Sequence, residues 1–109
     1  MKSVFFYSDA LANFDYGRDH PLKPYRARKA LELCRRYRLI DHPWIELKEP
    51  SAATEEEIAL FHSQEYIDIL KKADSGIFSI EMFDYGLGTE DNPVVEGLYD
   101  WSSLAAGAT

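Results

Sequence analysis

Hydrophobic and polar positions alternate between two periods along the chain. Ser3 to Tyr7 is a short apolar, aromatic run closed by Ser8-Asp9, the pattern of a strand opening a domain. From Tyr25 to about Leu39 the apolar positions Ala27, Ala30, Leu31, Cys34 and Tyr37 recur at helical spacing, with Arg28, Lys29, Arg35 and Arg36 off the stripe. Pro24 suits a first helical turn and Pro43 stops continuation. Trp44 to Leu47 reads as a short extended segment. Thr54-Glu55-Glu56-Glu57 has the form of a capping box, predicting a helix through Phe61 whose glutamates face the positive end of its dipole. Ser63 is the cap of a second helix carrying Tyr66, Ile67 and Leu70 to about Ala73, ended by Gly76. Ile77 to Asp84 fits neither period. A last helix is expected from Pro93, capped by Asn92, burying Val94, Leu98, Trp101 and Ala105 and running on through small residues to Thr109.

Two segments interrupt this pattern. Ser8 to Pro24 holds Asn13, Asp15, Gly17, Asp19, Pro21 and Pro24, all turn formers, and is expected to be one long ordered loop. Its Phe14, Tyr16 and His20 favour a functional loop over a disordered one. Tyr85 to Pro93 is a second long loop with two glycines.

Composition bounds what such elements can do. At 109 residues and 46% hydrophobic, the chain is one small folded unit or a piece of a larger one. A single cysteine, Cys34, rules out an internal disulfide framework and any multi-cysteine zinc module. Neither a signal peptide nor an apolar stretch of membrane-spanning length is present, so the expectation is a soluble, cytoplasmic protein. Charge is uneven, +5 over residues 1–40 and −12 over residues 41–109, for a net −7. The basic part lacks an RNA-type aromatic signature or a helix-turn-helix pattern, and nucleic acid is not an expected partner.

Candidate chemistry is sparse. His20, His42 and His62 are too far apart for a helical metal pair, and His42 and His62 sit where a loop and a helix junction use them structurally. No nucleophile elbow or phosphate loop occurs, and Gly86-x-Gly88 lacks a third glycine. The residues by themselves reach two aromatic or acidic loops on a partly helical scaffold.

Three motifs, in order, go further. Tyr16-Gly17 with His20-Pro21-Leu22-Lys23-Pro24-Tyr25-Arg26, then Pro50, Ala53-Thr54 and Glu56-Glu57 with Phe61-His62-Ser63 and Glu65-Tyr66-Ile67, then Tyr85 to Pro93 with Glu96-Gly97-Leu98, together resemble the N-terminal third of the histone deacetylase family. Asn92 resembles the bacterial branch, the acetoin utilisation proteins. The resemblance implies an α/β class: residues 1–109 as the N-terminal part of an arginase/deacetylase-like fold, mostly helical, with a short parallel-sheet strand near the N-terminus. It implies zinc-dependent hydrolysis of acetyl-lysine or a small acetyl-amide, with zinc ligands, a His pair and a Tyr that the family carries further along. No catalytic or metal-ligating residue is therefore expected in this chain, and by itself it should be inactive and hold no zinc. The residues that carry over are Asp91 as the rim acceptor for substrate amides, and His20 and Pro21 at the tunnel mouth. Arg26, Tyr16 and Leu22 would line an inner cavity.

A second reading stands beside this one: a stand-alone, non-catalytic helical interaction module derived from a deacetylase. Under either, apolar surface left uncovered would favour a homo-oligomer.

Overall fold

The computed structural model describes residues 1–109. The elements are β1 (Ser3–Phe6), α1 (Asp9–Asn13), α2 (Arg26–Arg36), β2 (Ile45–Lys48), α3 (Glu55–Ile58), α4 (Gln64–Asp74), α5 (Glu81–Asp84) and α6 (Leu98–Ala108). β1 and β2 pair in parallel, Ser3 opposite Ile45 and Phe6 opposite Lys48. Helices α1 and α2 make the connection between them, as parallel pairing requires. A two-stranded parallel sheet wedded to helices is the mixed α/β architecture anticipated from the motifs.

Local side-chain caps open three of the six helices, α1, α3 and α4. Thr54 Oγ1 accepts from the Glu57 N–H at 3.2 Å and Glu57 Oε2 accepts from the Thr54 N–H at 2.8 Å, so both halves of the capping box form. Ser63 Oγ accepts from the Tyr66 N–H at 3.2 Å, opening α4. The buried face of α4 is Ile67, Leu70 and Ala73. Leu70 and Ala73 join Met82, Leu87 and Leu98 in the core, against which Phe14, Tyr16 and Tyr66 pack.

Four expectations are corrected. Helix α3 ends at Ile58 rather than at Phe61. The segment after β1 is not all loop, because Ser8 Oγ accepts from the Leu11 N–H and α1 follows, burying Ala12. Ala10-Leu11-Ala12 are good helix formers, and the turn residues begin only at Asn13. Helix α2 ends at Arg36 rather than near Leu39. There Arg38 takes φ +58°, and Leu39 N–H reaches Cys34 O while Arg38 N–H reaches Arg35 O, both at 2.9 Å. These two bonds define a Schellman stop, with arginine where glycine is usual.

Helix α6 begins at Leu98, not Pro93, and its cap is not Asn92. Gly97 sits at φ +82°, and the Asp74 carboxylate accepts from the N–H groups of Gly97, Leu98 and Tyr99 at 2.9, 3.1 and 3.3 Å. A cap delivered from the end of α4 satisfies three of the free donors of the first turn. Toward its other end α6 meets the Ser51–Ala53 backbone. Ala53 N–H bonds to Ser103 O at 2.9 Å, and a Cβ on Gly107 would collide with the Ser51 carbonyl and come within 2.7 Å of Ala53 N.

Much apolar surface stays open. Val4 and Phe6 on β1 are 41% and 42% exposed, and the expected stripe of α2 buries only Leu31. Parallel sheets ordinarily have both faces covered. The radius of gyration is 16.2 Å, against about 13 Å for a closed domain of this length. The accessible surface is 7932 Å², against roughly 6,200 Å² for a monomer of this mass.

Candidate functional site

The two loops flanking the core meet. The first is braced from behind: Phe14 stacks on Trp101 at 4.8 Å, Tyr16 meets both rings edge-on at 5.0 and 5.7 Å, and Trp101 Nε1–H donates to Leu11 O at 3.0 Å. Gly17 N–H is held by Asp15 Oδ1 at 2.8 Å, while the Lys23 ammonium donates to the Gly17 and Arg18 carbonyls at 3.1 and 2.9 Å. Gly17 adopts φ +110°, which a side chain would oppose.

The second loop is tied to itself. Gly88 N–H bonds to Asn92 O at 2.9 Å, and Thr89 Oγ1 both donates to Gly86 O at 2.9 Å and accepts from the Asn92 N–H at 3.2 Å. Leu87 is buried beneath, and a Cβ on Gly88 would lie 2.7 Å from Met82 Cε. The Gly-Thr-Glu-Asp-Asn run is thus a closed loop that presents Glu90 and Asp91 to solvent.

One bond joins the loops. His20 Nε2 lies 2.9 Å from Asp91 O, 71 positions away, and Leu22 N–H lies 3.1 Å from His20 Nδ1. Nδ1 facing an N–H must accept, so Nε2 carries the proton and donates to the Asp91 carbonyl. Tyr16 stacks on the same imidazole at 4.6 Å and 21°. Burial, and secondarily the Tyr66 hydroxyl, raise the Tyr16 phenol above its usual 10.0, keeping it neutral.

Between the loops lies an open recess of about 560 Å³ lined by Tyr16, Gly17, Arg18, Asp19, His20, Pro21, Glu90, Asp91 and Pro93. Of the six residues singled out from the sequence, Tyr16, His20, Pro21 and Asp91 come together here. Leu22 is 45% exposed outside the recess, and Arg26 opens α2 on the surface, also outside it. Arg18, Asp19 and Glu90 also line the recess without having been assigned a site role from the sequence, where Asp19 reads only as a turn former and Glu90 only as part of the third motif. Sequence reasoning also passed over Phe14 and Trp101 as braces; their aromatic character was visible, their pairing was not. With three carboxylates and one guanidinium on its walls, the recess favours a ligand offering N–H donors or positive charge.

No three His, Cys, Asp or Glu side chains converge where they would jointly hold a metal ion. The zinc implied by the motifs does not fit residues of this chain alone.

Comparison with known proteins identifies the family of the chain. Residues 20–109 match the histone deacetylase domain. The chain belongs to the histone deacetylase family. It is 34% identical over 109 residues to histone deacetylase RPD3 of Saccharomyces cerevisiae, covering 97% of this chain and 24% of that protein. It is 35% identical over 112 residues to histone deacetylase 6 of Arabidopsis thaliana, covering 96% and 23%. It is also 34% identical over 108 residues to the acetoin utilization protein AcuC of Bacillus subtilis, covering 98% and 27%. The chain spans about a quarter of the length of these relatives. No helix is long and apolar enough to cross a membrane.

Proposed function

We propose that residues 1–109 form the N-terminal part of a zinc-dependent, deacetylase-like amidohydrolase, cytoplasmic and of the bacterial type that Asn92 suggests. In this reading the chain supplies the substrate rim while the zinc ligands and proton-transfer groups lie elsewhere in the protein. The carrying observation is the 2.9 Å bond from His20 Nε2 to Asp91 O, which draws the two motif loops into one recess. Asp91 is held by its backbone, leaving its carboxylate in solvent at the edge of that recess.

A fixed carboxylate facing the amide N–H groups of an extended peptide makes charge-assisted bonds that orient an acetyl-lysine stem for hydrolysis. His20 and Pro21 shape the mouth, and Tyr16, Leu22 and Arg26 belong to the inner wall once the remaining sequence closes it. The uncovered apolar faces of the sheet and α2 pack against that remainder; an isolated chain would cover them by self-association. Nucleic acid and membrane have no place in this scheme.

The test is Asp91→Ala and Asp91→Asn in the full-length protein, assayed on an acetyl-lysine peptide and on a small acetyl-amide without peptide N–H groups. Loss of a charge-assisted bond predicts about a ten- to hundredfold fall in kcat/KM for the peptide. The small amide should be hardly affected. Equal turnover of the peptide by wild type and both variants would overturn the rim assignment.

A further inference from the structure

We infer that His20, besides lining the mouth, is a positioning residue whose polar contribution reaches substrate through Asp91, a role that rests on the rim reading above and deepens it. Both nitrogens and one face of its imidazole are engaged within the protein. Nδ1 accepts from the Leu22 N–H at 3.1 Å, Nε2–H donates to the Asp91 carbonyl at 2.9 Å, and one ring face is covered by Tyr16 at 4.6 Å. Neither nitrogen remains for a ligand. The bond to Asp91 is also the one side-chain tie from the first loop to the tip of the second, since the Gly86–Asn92 bonds are internal to that loop. An exposed carboxylate on a loop tip is pre-organised only if its backbone is held from outside, and His20 does this from a base that Tyr16, Phe14 and Trp101 brace against α6.

The two imidazole bonds can be removed separately. In His20→Asn the amide oxygen reproduces the Nδ1 acceptor for Leu22 but cannot reach Asp91. In His20→Gln the longer amide carries an N–H to the Asp91 carbonyl. His20→Ala removes both bonds.

Steady-state kinetics on an acetyl-lysine peptide with the full-length protein then separate the roles. A lost neutral hydrogen bond predicts that His20→Asn and His20→Ala raise KM about three- to tenfold with kcat nearly constant. His20→Gln should return KM toward wild type. In an Asp91→Ala background, His20→Asn should add nothing, because its effect runs through the missing carboxylate. Additive losses in the double variant, or Gln failing where Asn succeeds, would overturn the inference while leaving the Asp91 assignment intact. If Asp91→Ala alone leaves kcat/KM for the peptide unchanged, the rim reading itself fails. A fall in kcat equal for all three His20 variants would place His20 in the chemistry and contradict the positioning role.

Discussion

At the residue scale, the best-defined ionic contact lies away from the recess. Lys71 Nζ donates to Glu55 Oε2 at 2.6 Å, tying α4 back to α3, and Gln64 Nε2 donates to Glu55 Oε1 at 2.6 Å. The Lys71 hydrogen bond, then that of Gln64, hold the Glu55 carboxyl below its usual 4.5, and the Glu55 bond holds Lys71 above its usual 10.5. Glu55 therefore contributes stability above pH 4.5 that is lost as pH falls through its lowered value, and Lys71 contributes below pH 10.5 what is lost as pH rises through its raised one. Lys71 is exposed and Glu55 is half-buried with its side chain still in reach of solvent, so the contribution is small and shrinks with salt. Thermal midpoints measured against pH should fall on the acid side in wild type and fall less steeply in Lys71→Met. Identical acid limbs would remove Glu55–Lys71 from the account. Residues of this kind were half legible: the glutamates were readable as helix-start chemistry, whereas the Lys71 partner, 16 positions on, was not.

At the element scale, legibility follows where each cap comes from. Helices α3 and α4 carry theirs in the adjacent residue, Thr54 and Ser63, and the chain announces both. Helix α6 takes its cap from Asp74, 23 to 25 positions upstream, so local reading moved its start to the Asn92-Pro93 pair, which resembles a cap. The brief helix α1 was hidden by the turn residues that follow it, and the early end of α2 by an arginine standing in the left-handed stop position. Asp74 also closes α4 itself, where a carboxylate opposes the helix dipole, so its net value lies in what it does for α6. Replacing it with alanine should cost about 1–2 kcal/mol. Amide exchange at Gly97, Leu98 and Tyr99 should accelerate before that of the α4 core. Unchanged protection at those three amides would mean the cap contributes nothing.

At the scale of the whole molecule, the motifs said more than the periodicity did. Patterning located strands and helices, but the meeting of His20 with Asp91 across 71 positions depends on tertiary packing of Phe14, Tyr16 and Trp101, which no local period encodes. The family resemblance supplied the residues, and the fold showed that four of the six share a recess while Leu22 and Arg26 stand outside it. The molecule is also wide and thin, 50 × 33 × 17 Å, with an exposed parallel strand pair. Such a shape leaves apolar faces in search of cover, and the function proposed above divides labour between a braced rim here and metal-centred chemistry from residues this chain does not bring together. The most direct test of that division is to purify the 109-residue chain alone and measure bound zinc together with acetate release from an acetyl-lysine peptide. The account predicts neither stoichiometric zinc nor turnover. One zinc per chain accompanied by acetate release would contradict it.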